Sequence, residues 1–150
     1  MSAVRHNRTL RGAAAAALLL APTAQAQTAD PATLLRGQQL YATTCAVCHG
    51  ANLQGQPDWK RRLDSGLMPA PPHDATGHTA SHSDRELFAF TRLGVAAVMG
   101  DGYESAMPAF GETLGDDDIA AVLDYIKGTW PAEVQQKQAA ITAADQGAQP

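Results

Sequence analysis

Cysteine is scarce in this chain: there are two, at positions 45 and 48. Two thiols do not make a four-thiolate zinc site, and a mixed site would need its second half built from histidine alone. Aromatic residues are also few, eight in 150, so a core of ordinary density must draw on something besides Trp, Tyr and Phe. Long apolar runs are missing. The run from Gly12 to Ala21 is about half the roughly 20 residues needed to span a bilayer, and no later stretch is a better candidate. Basic residues number 11 against 15 acidic ones, a balance that gives no support to nucleic-acid binding. There are no internal repeats, and no stretch reads as a hairpin or a βαβ unit.

What is present begins with a leader. Arg5, Arg8 and Arg11 precede the apolar run, and Ala24-Gln25-Ala26 is a small-x-small cleavage site. Residues 1–26 therefore read as a secretory signal, with no arginine pair to suggest the twin-arginine route. Its removal takes three basic residues and no acidic one, leaving a formal charge of −7 on residues 27–150, enough chain for one domain.

The two cysteines stand three apart and a histidine follows at once: Cys45-Ala46-Val47-Cys48-His49. This is the spacing of c-type haem attachment. Each thiol adds across one haem vinyl group, both sulfurs fall on one side of a helical turn, and His49 reaches the iron. A thioredoxin-like dithiol would instead follow a strand and open a helix; here the pair ends a helical segment. A disulfide suits an exported chain, but directly before His49 thioether bonds are the better use of both cysteines.

Asp30-Pro31 reads as an N-cap with proline at the first helical position. The helix is predicted from about Pro31 to Thr44, with Leu34, Gly37, Tyr41 and Cys45 on one face. Gly37 weakens it by up to about 1 kcal/mol against alanine, but also lets a second helix approach closely, which is the favoured reading. Residues 50–82 lack sustained periodicity. So long a loop is unusual in a compact domain unless it wraps one face of a macrocycle. Trp59 is then expected near the haem. Arg61 and Arg62, with Lys60 the one basic cluster after the leader, either pair with a propionate or form a solvated charge run. Ser83-Asp84-Arg85-Glu86 is a capping box opening a helix to Leu93, stopped by Gly94. Residues 95–115 read as a second loop, containing Met107-Pro108-Ala109-Phe110. The last main helix begins near 115–117, with Asp116, Asp117 and Asp118 where the helix dipole favours negative charge. Its stripe is Ile119, Val122, Leu123, Ile126 and Trp130. The tail, 131–150, reads as a short helix to about Ala140 followed by disorder.

In this order, the Gly37-x-x-x-Tyr41-x-x-x-Cys45-x-x-Cys48-His49 run, the Met107 segment and Asp118 to Ile126 resemble a class I c-type cytochrome over residues 31–130. The resemblance implies an all-α cytochrome c fold, with three main helices and long loops wrapped around one covalent haem c, in a domain spanning 27–130. It implies that the first and last helices cross, with Gly37 and Tyr41 against Val122, Tyr125 and Ile126. It makes His49 the proximal ligand and Met107 the distal one. A proline carbonyl often orients the proximal imidazole in this family, and Pro69, Pro71 and Pro72 are all candidates. The chain departs from the family at Gly115, where Ser or Thr is usual, and in its longer loop before Met107.

Other donors compete for the sixth position. Met68 also precedes a proline but lies in a segment suited to the proximal face, and Met99 reads as a packing residue. Bis-histidine ligation and an open position remain alternatives. His73, Asp74, His78 and His82 either form a copper or zinc cluster or are separate loop side chains. The implied function is one-electron transfer in the periplasm by a monomer that is not an enzyme. It would dock transiently on redox proteins, without nucleic acid and without a membrane span after the leader. The alternatives are a five-coordinate haem protein handling peroxide or a gas, and a copper-handling protein using residues 73–82.

Overall fold

The structure, a computed structural model, describes residues 29–148; the expected leader, residues 1–26, lies outside them. Asp30 opens the first helix by accepting from the N–H groups of Ala32 (2.9 Å) and Thr33 (3.2 Å). Pro31 follows where a missing N–H costs nothing. Helix α1 (Pro31–Leu40) continues through a π turn (Tyr41–Cys45) into α2 (Ala46–His49), past the expected end at Thr44. Gly50, at φ 80°, stops it.

After a long irregular segment and a short 3-10 turn (Thr79–Ser81), the capping box opens α3 (Asp84–Leu93). Ser83 Oγ accepts from the Glu86 N–H (3.2 Å), and Glu86 Oε2 accepts from the Ser83 N–H (2.9 Å). Gly94 ends α3 and a one-turn helix, α4 (Val95–Met99), follows at once, inside the segment expected to be wholly loop. Helix α5 (Asp116–Gly128) starts on Gly115 without a side-chain cap and carries three aspartates in its first turn. Helix α6 (Ala132–Gly147) runs past the expected end near Ala140. What holds it is polar. Buried Gln138 donates to Asp84 Oδ1 (2.8 Å) and the His82 carbonyl (3.2 Å). Asp145 accepts from Arg85 (2.8 and 2.6 Å) and from the Ser83 hydroxyl (2.9 Å). An apolar period does not reveal a helix docked this way. No strand occurs among the described residues, and the fold is all-α.

Helices α1 and α5 cross at Gly37. A Cβ there would stand 2.6 Å from the Ala121 carbonyl carbon and 2.9 Å from Tyr125 Cβ, with the Ala121 oxygen nearer still. Only glycine lets the two backbones meet. Tyr41, Val122, Ile126, Leu53 and Trp130 form one core cluster, which Tyr125 joins from its edge. Leu87, Leu114, Ile119 and Leu123 form a second, under α3, and Leu40 packs against both. Helix α5 thus carries both halves of the core. Among the described residues no helix is long and apolar enough to cross a membrane.

Candidate haem site

The attachment motif occupies the last turns of the first helix. Cys45 ends the π turn and is partly buried, Cys48 is exposed on α2, and His49 is buried at 7 % exposure. Val47 between the cysteines stands out at 85 % exposure, so this short turn has an open outer side and a buried inner one. Burial pushes the Cys45 thiol up to about 11, with Cys48 adding to the shift. Near neutral pH it is therefore a thiol, not a thiolate.

His49 Nδ1 lies 2.8 Å from the Pro71 carbonyl oxygen. A carbonyl only accepts, so Nδ1 carries the proton and Nε2 keeps a free lone pair, the form that binds a metal. Burial lowers the His49 pKa and the Pro71 bond works against it. The fold thus selects Pro71 from three candidate prolines. Two loop bonds bring it there. Gly55 N–H donates to the His49 carbonyl (2.7 Å) and Gln56 N–H to that of Ala70 (2.9 Å).

His73 stacks on His49, with ring centres 3.9 Å apart and planes 22° apart. Burial, with His49 and His78 adding smaller effects, pushes its pKa down to about 3, so the ring is neutral. This side chain is missed by spacing arguments, which group it with His78 and His82. The structure corrects that grouping. His73 turns inward, while exposed His78 stacks on Trp59 (5.3 Å, 16°) and meets His82 edge-on (5.5 Å). Among the described residues no group of three or more His, Cys, Asp or Glu side chains is arranged to hold a metal ion. The side chains of residues 73–82 are thus not gathered into a copper or zinc cluster.

Trp59 is half-buried against His78, with Lys60 Nζ 5.0 Å from its ring centre. Arg61 is exposed and lies 3.7 Å from Asp58, and Arg62 donates to the Gly66 carbonyl (2.7 Å). Both line a surface cleft of about 400 Å³ with Pro57, Leu63, Asp64 and Pro69. Their partners in the structure are a carboxylate, Asp58, and a backbone carbonyl, that of Gly66. Met107 is half-buried, and its N–H donates to Ser105 Oγ (3.1 Å). Its segment is fastened at the base, where the Phe110 and Gly111 N–H groups donate to the carbonyls of Thr91 (3.0 Å) and Arg92 (2.9 Å).

The residues suit a covalent haem: two thiols and a buried imidazole with its lone pair free lie within one helical turn, and a methionine lies in a half-buried loop. Comparison with known proteins agrees. A family model described as Cytochrome c matches residues 34–130. The cytochrome bc1 complex cytochrome c subunit of Mycobacterium tuberculosis is 53 % identical over 53 residues, covering 33 % of this chain and 18 % of that protein. Its counterpart in Mycobacterium leprae is 49 % identical over 51 residues, with the same coverage. The chain thus aligns with about a fifth of the length of these relatives. No solved structure matches it significantly.

Proposed function

The chain belongs to the cytochrome c family, and we propose that it works as a periplasmic one-electron carrier with His49 and Met107 as the axial ligands of its haem. One observation carries the reading: the Pro71 carbonyl accepts a hydrogen bond from His49 Nδ1–H at the end of the helix that presents Cys45 and Cys48. When bound, haem c supplies the ferric/ferrous couple. Cys45 and Cys48 hold it through thioether bonds. His49 presents Nε2, and its hydrogen bond to Pro71 makes that nitrogen a better donor. Met107 supplies a thioether sulfur, which favours the ferrous state and raises the potential. With His49 and Met107 both bound, the haem iron would have no position left for a substrate, which fits a carrier rather than a catalyst.

The partners are redox proteins met through small, transient interfaces. The relatives' name refers to a bc1 complex; what extends to this chain is the general point that electrons pass to and from other proteins. The acidic balance outside the leader favours a partner with a basic docking face.

Optical spectra of the oxidised and reduced protein test the assignment. Wild type should show thioether-linked, low-spin haem with the methionine–iron band in the ferric state. Met107→Leu should keep its haem and helical signal, lose that band and bind carbon monoxide when reduced. If Met107→Leu keeps the wild-type spectrum, the distal assignment fails. If reduced wild type binds carbon monoxide at once, the five-coordinate reading replaces this one.

A further inference from the structure

Resting on the reading of His49 as the iron ligand, we infer that His73 is a positioning residue: its ring is the wall that sets the rotation of the proximal imidazole. The Pro71 bond holds one edge of His49. A single hydrogen bond leaves the ring free to rock about it, and the stacked face of His73, 3.9 Å away, closes that motion.

The wall is itself fixed on every side. His73 N–H donates to the Leu53 carbonyl (2.8 Å), and Trp130 Nε1 donates to the His73 carbonyl (2.7 Å). The Thr79 hydroxyl donates its one proton to the Pro72 carbonyl (3.2 Å), so His73 Nδ1–H donates to Thr79 Oγ1 (3.0 Å). Tyr41 meets the ring edge-on at 6.2 Å. Leu53 adopts φ 61°, a left-handed conformation that a leucine takes only where its surroundings impose it. Its carbonyl receives both the His73 and the Asp74 N–H groups. Leu53, Tyr41 and Trp130 all belong to one core cluster. Core packing is therefore transmitted to the face of the ligand, an outer-shell role of the kind that orients metal-bound histidines. Were His49 bound to ferric haem, the rotation of its ring would help set how unpaired spin spreads over the macrocycle.

The test compares haem-loaded wild type with His73→Phe, which keeps a flat ring, and His73→Leu, which fills similar volume without one. The readouts are the order of the haem-methyl resonances in the ferric proton spectrum and the midpoint potential. His73→Phe should keep the wild-type order, and His73→Leu should lose it at unchanged helical signal. If His73→Leu does not mature while His73→Phe matures with the wild-type order, the requirement for a flat wall stands. The inference is overturned if the two variants give the same order, whether wild-type or altered. A wild type without low-spin, thioether-linked haem would overturn the ligand reading itself and this inference with it, a result visible before either variant is compared.

Discussion

Residues 50–83 and 94–115 are both largely irregular, yet they are built in opposite ways. The first is woven into the core. Leu53, Pro69, Pro72 and Thr79 are buried, and its backbone exchanges hydrogen bonds with itself across long separations, such as Gln56 with Ala70 and His73 with Leu53. Trp130, far along the chain, closes it from α5's end. The second is held mainly at its base. Between Gly94 and Leu114 every residue is exposed or only half-buried, and a Cβ at Gly100 or Gly102 would meet nothing within 4 Å. Irregular backbone is therefore not the same as loose backbone. Where polar groups find many distant partners, a loop serves as wall; where they find few, it stays near the surface. Residues 50–83 thus hold the His49 imidazole through Pro71, whereas Met107 lies on the segment with fewer distant bonds.

The severest way to break this contrast is Cys45→Ala with Cys48→Ala. Ten buried hydrophobic residues among those described, in a chain with eight aromatics, make a small core that a macrocycle would complete. The double variant should be haem-free and unfolded by far-ultraviolet circular dichroism and protease digestion. A folded, resistant apoprotein would show that the woven segment stands without haem. A matched pair of glycines sharpens the comparison next. A Cβ at Gly77 would lie 2.8 Å from the Pro72 carbonyl carbon, with its oxygen nearer still, so Gly77→Ala should cost about 3 kcal/mol, at the upper end for overpacking. Gly102→Ala meets no atom but adopts φ 74°, so it should cost about 1 kcal/mol from backbone strain alone. Denaturant unfolding of the haem-loaded variants measures both; equal costs would erase the distinction between the segments.

The smallest effect concerns α6, which clamps the end of the woven segment at Ser83. Arg85 first, and the Ser83 hydroxyl next, lower the Asp145 pKa below its ordinary 3.8. A depressed carboxylate pKa contributes stability that is complete above the unfolded value and lost as pH falls through the folded one. Amide exchange in α6 should therefore be level from neutral pH down to about pH 4, apart from intrinsic exchange rates, and should rise below it. Asp145→Asn should exchange faster at neutral pH and lose that step.

How much could be read in advance follows the range of the interactions. Asp30-Pro31, the Ser83/Glu86 box and the aspartates opening α5 are local signals, because a cap and its recipient lie within one turn. The Cys45-to-His49 spacing is local as well, set by one helical turn against one macrocycle. Gly37 was legible as a close-approach residue from its place on an apolar face. The choice among Pro69, Pro71 and Pro72 was not, since it depends on how residues 55 and 56 fold the loop back. Nor was the separation of His73 from His78 and His82, because three histidines of one loop look alike until the backbone bends.

By itself, then, the sequence determined an all-α chain, where its main helices begin, and a thiol pair and imidazole at a spacing that suits a haem. Periodicity, caps and motif spacing are short-range and survive without knowledge of the fold. Only the tertiary structure decided which carbonyl faces His49 Nδ1, that a second imidazole lies flat against it, and that α6 reaches Gly147 on Gln138 and Asp145. Each of these joins groups brought together only by chain closure, and a polar contact between distant residues leaves no period behind to be read.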